Sequence, residues 1–249
     1  MTGDRRRLMM AISRSVPSVP NYFYVQDESG LGGNVSFGTR GGPAINIEIS
    51  TDMETWTSYP EISSSTQIPL PAGGKLYMRG SNTKFSTGAI NYHRYLQCNV
   101  NHSVGGDIAF LLEPTGNPTT VDYLCFGGLF GPTYIPNTNL VDARNLIISD
   151  KVHIGEGFRR MFYGCSNLVK GPKILINQAL LTRELQEMFY GCTSLNELTC
   201  LATNVSANYC TTSWMQGTSA AGTFHKAASM TTWPRNNNGI PSGWTVVDY

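Results

Sequence analysis

Met161-Phe162-Tyr163-Gly164-Cys165-Ser166-Asn167-Leu168 reappears 27 residues later as Met188-Phe189-Tyr190-Gly191-Cys192-Thr193-Ser194-Leu195. A third, degraded copy, read at the same step, is Trp214-Met215-Gln216-Gly217. An apolar patch follows each motif, Lys173-Ile174-Leu175 and then Cys200-Leu201-Ala202. One unit earlier, Asn139-Leu140-Val141 through Asn145-Leu146-Ile147-Ile148 matches the stretch that starts at Asn167 with a step of 28. Self-similarity at a fixed step of this size is the signature of a solenoid.

Within one unit, Leu181, Leu185, Met188 and Phe189 fall at i, i+4, i+7 and i+8, the stripe of an amphipathic helix. Gly191 stands where a helix would stop, because glycine enters positive φ at no steric cost. A strand of three or four residues is expected next, with Cys192 and Leu195 pointing to the interior. One helix and one short strand cannot bury both apolar faces alone, so units must stack. The structural residues of the repeat are therefore Met161, Phe162, Gly164, Cys165 and Leu168, with Met188, Phe189, Gly191, Cys192 and Leu195 as their counterparts.

Met-Phe-Tyr-Gly-Cys-[Ser/Thr]-x-Leu resembles the BspA-like leucine-rich repeat. The resemblance covers about residues 96–249 and includes Gly239-Ile240-Pro241-Ser242-Gly243-Trp244-Thr245-Val246 near the end. It departs at Leu124-Cys125-Phe126-Gly127-Gly128-Leu129-Phe130, which lacks the following Gly-Cys-Thr run and reads as a cap. The family is frequent in surface proteins of gut and oral bacteria and in phages of such hosts. The resemblance implies a non-enzymatic attachment surface.

Towards the N-terminus the pattern changes to alternation. Ile45-Asn46-Ile47-Glu48-Ile49-Ser50, Lys75-Leu76-Tyr77-Met78-Arg79 and Val35-Ser36-Phe37 read as half-buried strands, separated by Gly, Pro and Ser turns. Short, closely spaced strands of this kind predict a small antiparallel β-sandwich over residues 21–95, with Trp56 as its core aromatic. Ser50-Thr51-Asp52-Met53-Glu54-Thr55-Trp56 resembles an Asp-box hairpin, one residue short, in which the Asp ties the turn and the Trp packs. The expected fold is thus mostly β with short helices (α+β). It comprises a basic arm (1–20), the sandwich (21–95), a leucine-rich-repeat solenoid (96–221) and a C-terminal capping segment (222–249). Asp107-Ile108-Ala109-Phe110-Leu111-Leu112 supplies the solenoid's first strand, and Phe224, Trp233 and Trp244 close its far end.

The chain has 249 residues, of which 14% are charged, against roughly 25% in an average soluble domain. Ser (21), Thr (24) and Asn (19) fill the gap, which suits an extracellular or virion surface. A net charge of +1 argues against a phosphate-neutralising protein, so no nucleic-acid partner is expected. No apolar run is long enough for a membrane span. Arg5, Arg6 and Arg7 lead the only strongly basic stretch, but the apolar run after them is five residues, short of the 7–15 of a signal peptide. They read as a particle-attachment arm. The six cysteines contain no Cys-x-x-Cys pair, and two recur at one place in the repeat, which favours buried, reduced thiols.

The four histidines form no ligand or triad pattern, and no phosphate-binding or nucleophile-elbow motif occurs. No catalytic residue, metal or cofactor is therefore expected. The favoured function is that of a phage virion component (head fibre, capsid-decorating or tail-associated protein). It would bind other virion proteins through the arm and β-domain and a host glycan or protein through the repeats, as a homo-oligomer. A bacterial cell-surface adhesin is the alternative, and a polysaccharide-acting enzyme, whose carboxylate pair would be brought together only in space, is third.

Overall fold

The computed structural model describes residues 20–87, 92–131, 137–236 and 238–249. Eight strands precede the repeats: β1 (Phe23–Asp27), β2 (Gly33–Thr39), β3 (Ile47–Ser50), β4 (Thr57–Tyr59), β5 (Ile68–Leu70), β6 (Lys75–Gly80), β7 (Arg94–Cys98) and β8 (His102–Asp107). Five follow: β9 (Leu140–Ile148), β10 (Lys170–Ile174), β11 (Glu197–Cys200), β12 (Gly222–Lys226) and β13 (Trp244–Asp248). Ten of these form one sheet in the order β13-β12-β11-β10-β9-β8-β1-β6-β3-β4. Pairing is parallel from β8 to β13 and antiparallel from β8 through β1, β6 and β3 to β4. The protein is mostly β, and its C-terminal part is a β-solenoid of about four turns.

The short helices expected in each repeat do not form. Among the described residues, helix is confined to two 3-10 segments, Ile108–Leu111 and Asp150–Val152. Residues 181–192 are a ribbon of consecutive tight turns instead. Gln186, Met188 and Tyr190 N–H donate three residues back, to Arg183, Leu185 and Glu187 O. The intervening amides leave the rung. Those of Arg183, Leu185, Glu187, Phe189 and Gly191 donate to Asn208, Cys210, Thr212, Trp214 and Gln216 O at 2.7–3.1 Å. Half the donors thus close turns and half tie one rung to the next, so the backbone is satisfied without an α-helix.

The ribbon has a four-residue period, marked by positive φ at Arg183 (54°), Glu187 (55°) and Gly191 (75°). That period explains the discrepancy with the helical reading. A repeat of 4 and one of 3.6 diverge by only roughly 80° over eight residues, so Leu185, Met188 and Phe189 satisfy both stripes. Every other rung has the same construction: positive φ recurs at Leu124 and Gly128, at Glu156, Arg160 and Gly164, and at Tyr209, Ser213 and Gly217. The stretch containing Leu124 and Gly128, read as a cap, is a working rung, since Phe126, Gly128 and Phe130 N–H donate to Gly157, Arg159 and Met161 O.

The rungs bury a common interior. Phe130, Phe162 and Phe189 stack at centroid distances of 5.0 and 5.3 Å, and Phe126 lies over Phe158 at 6.1 Å. Each such ring removes on the order of 150–250 Å² from water, so these columns are a large part of the solenoid's apolar interior. Gly164, Gly191 and Gly217 form their own column, in which a Cβ on Gly191 would lie 3.7 Å from Gly164 Cα. The step from Gly191 to Gly217 is 26 residues, not 27, and Ile174 likewise pairs with Cys200 at 26. A bulge between Lys170 and Lys173 absorbs the difference.

Both walls of the solenoid run on into the N-terminal part. The parallel sheet continues through β8 and β1. The ribbon wall continues as a second sheet, β5-β2-β7, through Leu96 N–H to Leu129 O (2.8 Å), while Phe85 N–H donates to Cys125 O. Phe23, Val35, Phe37 and Leu96 belong to the same buried cluster as the repeat phenylalanines. Two expectations need correcting here. Asp107 ends β8, and the residues after it turn into a 3-10 segment because its carboxylate accepts Ala109 N–H (3.0 Å). Trp56 is half-buried outside the core, its indole against Tyr22 (4.8 Å) and beneath the Arg79 guanidinium (4.1 Å). The hairpin before it is tied by Asp52 as expected, its carboxylate accepting Glu54 and Thr55 N–H at 2.8 Å each, and Met53 takes positive φ (66°).

At the far end the tail packs on the last rung. Trp233 stacks on Trp214 (5.5 Å) and meets Phe224 edge-on (5.0 Å). The indole N–H groups of Trp214 and Trp244 donate to Gly239 and Ser219 O at 2.8 Å each.

Candidate recognition face

The ribbon's outward positions come into columns because the rungs stack in register. Glu156 sits beside Arg183 (3.0 Å), and Arg160 beside Glu187 (2.5 Å). On the sheet wall Lys170 faces Glu197 at 2.6 Å. Glu156 also takes Arg159 at 3.1 Å. Burial alone would push its carboxyl up, but the Tyr123 hydroxyl and the two guanidiniums outweigh that and hold it below the usual carboxylate range.

Between these ladders stand aromatics. Tyr163 and Tyr190 stack 4.9 Å apart and 4° from parallel. The Arg160 guanidinium lies 5.5 Å from the Tyr163 ring, and that of Arg183 lies 5.3 Å from Tyr209. Tyr123 and Tyr209 are about half exposed. Tyr and Arg are the residues that recognition surfaces use most, since they offer large rigid contact area and directed donors. Here the ion pairs fix the arginines beside the rings, so their side chains are already ordered.

The interior holds the cysteine thiols and the Glu184 carboxyl. Cys165 Sγ donates to Phe130 O (3.5 Å) and Cys192 Sγ to Phe162 O (3.0 Å), each reaching one rung back. Burial pushes both thiols up, and that of Cys200 to about 12. All six cysteines are buried and unlinked. A thiol so protonated is a small hydrophobe with a weak donor. Glu184 is fully buried, accepting Leu181 N–H (2.8 Å) and facing His153 Nδ1 (2.9 Å). Burial raises its carboxyl above the usual range despite both contacts.

The repeat residues from the sequence meet in two adjacent rungs. Phe162 N–H donates to Met188 O at 2.9 Å, and Met161, Phe162, Cys165, Leu168, Met188, Phe189, Cys192 and Leu195 are all at 0% exposure. Gly164 and Gly191 stack at the ribbon's outer corner. Arg5, Arg6 and Arg7 lie outside the described residues. Among the described residues, no cluster of three His, Cys, Asp or Glu is placed to hold a metal ion, and no helix is long and apolar enough to cross a membrane.

The charge ladders and the tyrosine stack were not singled out as functional from the sequence. A signal for them existed. Glu156 and Arg183, Arg160 and Glu187, and Lys170 and Glu197 are each opposite charges exactly one repeat of 27 apart, and Tyr163 and Tyr190 are the same residue at that step. Opposite charge at the repeat distance marks outward positions of neighbouring rungs. No family model, no curated protein and no solved structure matches the chain.

Proposed function

We propose that this protein is a non-catalytic attachment component of a phage virion, displaying its ribbon face to a host glycan or protein. The observation that carries the reading is the division between the two sides of the ribbon wall. Its reactive side chains are sealed inside as packing groups, while Tyr163, Tyr190, Arg160 and Arg183 are held outside in a preordered row. A row of modest contacts suits avidity from several copies better than one deep site. We read the solenoid as a variant of the leucine-rich-repeat type, on the strength of the Met-Phe-Tyr-Gly-Cys motif. The two N-terminal sheets are read as a sandwich that, with the basic arm, anchors the chain to other virion proteins. The buried, unlinked cysteines agree with assembly inside a reducing cell.

The experiment is genetic and biochemical. Particles purified from cells expressing the chain are expected to contain it, and particles made without it to lose host adsorption. Recovery of the chain on the bacterial surface, and not in particles, would favour the adhesin reading. Loss of polymer viscosity on adding the pure protein would favour an enzyme.

A further inference from the structure

Each rung gives the amide of its corner glycine to the next. Gly164 N–H donates to Tyr190 O (2.8 Å) and Gly191 N–H to Gln216 O (2.9 Å). Gly217 ends the series at φ 77°, and among the described residues no acceptor takes its N–H. The tail replaces the missing rung one turn earlier, where Asn238 Oδ1 accepts Ser213 N–H (3.0 Å). At Gly217 there is a cavity of about 420 Å³ instead, within the range of small-molecule sites.

The chemistry of the cavity wall is specific. Among the described residues, Arg235 is the one charged residue of that wall. One terminal nitrogen of Arg235 donates to Ser242 O and to Trp244 O at 2.7 Å each. These bonds fix the guanidinium at the rim, and its other N–H groups have no acceptor among the described residues. Gln216, Ser219, Asn236 and Ser242 supply neutral donors and acceptors, and among the described residues the lining contains no carboxylate. A fixed cation and an unused backbone amide in the wall of one cavity suit a monoanion held by two charge-assisted hydrogen bonds, and the hydroxyl and amide rim suits a polyhydroxylated body.

We infer that this cavity binds the carboxylate of an acidic saccharide. Gly217 N–H and Arg235 take the carboxylate oxygens, and Gln216, Ser219 and Ser242 meet the sugar hydroxyls. The inference rests on the glycan-attachment reading and names its ligand class. The two can fail separately, because host adsorption is scored on particles and this site on the isolated chain.

The test is an NMR titration of the ¹⁵N-labelled full chain with glucuronate, glucose, acetate and sulfate. Glucuronate is expected to shift the Gly217 amide saturably and glucose to leave it unmoved, with acetate and sulfate at least about tenfold weaker than glucuronate. Arg235→Gln should weaken glucuronate about tenfold or more, the scale of a charged hydrogen-bond partner, and Arg235→Lys should restore part of the loss. Ser242→Ala, which leaves both Arg235 contacts to backbone in place, should weaken it a few-fold and serves if the arginine variants do not fold. A Gly217 amide indifferent to glucuronate overturns the inference. So does an undiminished response in Arg235→Gln, or acetate or sulfate binding as tightly as glucuronate.

Discussion

Gly191 stands over Gly164 so closely that a Cβ added to it would lie 3.7 Å from the Gly164 Cα, an ordinary contact, while its φ of 75° would strain any other residue. The column therefore needs glycine for conformation and not for space. Gly191→Ala is expected to destabilise by about 1–2 kcal/mol, read as a lower midpoint in denaturant unfolding. Ser213 occupies the same kind of position at φ 54°, and Ser213→Gly should stabilise by about 0.5–1 kcal/mol, the relief of strain exceeding the added chain entropy.

The Arg160–Glu187 pair joins two rungs with about a fifth of each side chain exposed (21% and 21%). A double-mutant cycle with Arg160→Ala and Glu187→Ala should give a coupling of about 0.3–1 kcal/mol that shrinks in high salt. Zero coupling would contradict a stabilising role for this ion pair between the rungs.

The legible part of this architecture was its periodicity. Met161 and Met188 share one environment because the eight-residue match reports a shared interior, and alternation marked β2, β3 and β6 in the first half. The ribbon was illegible because four-residue and 3.6-residue stripes coincide over Leu185, Met188 and Phe189, and because positive φ at Arg183 and Glu187 leaves no trace in residue type. Trp56 was misplaced for a related reason, since an aromatic beside a turn packs as readily on Tyr22 and Arg79 outside as on a core within.

Glu184 carries a pH dependence with a definite sign. Burial raises its carboxyl in the folded state, helped by Asp150, so the native protein holds this proton to higher pH than the unfolded chain does. Its contribution to stability is therefore largest below the unfolded value and falls as pH rises through the folded one. Stability of wild type relative to Glu184→Gln should decline from about pH 4.5 upward, measured as the difference in unfolding midpoints. A constant difference would contradict the buried, raised carboxyl.

Asp52 has the opposite sign. Thr55 and Glu54 N–H, with the Ser50 hydroxyl, lower its carboxyl from 3.8 to about 2. Its contribution is present above the unfolded value and is lost as pH falls through the folded one. Asp52→Asn should lose stability at neutral pH and show a shallower decline between pH 4 and 2.

The six buried thiols should be silent in the native state. A thiol reagent is expected to modify none of them until denaturant is added, and then all six. Rapid native modification of Cys165 or Cys192 would contradict their burial.

The stacking of rungs can be observed bond by bond through NMR couplings transmitted across hydrogen bonds. Couplings are expected from the Phe162 amide nitrogen to the Met188 carbonyl carbon, and from Phe189 to Trp214. A coupling from the Met188 nitrogen to the Glu184 carbonyl carbon, the mark of an α-helix through 184–188, would contradict the stacked-turn architecture on which the recognition face depends.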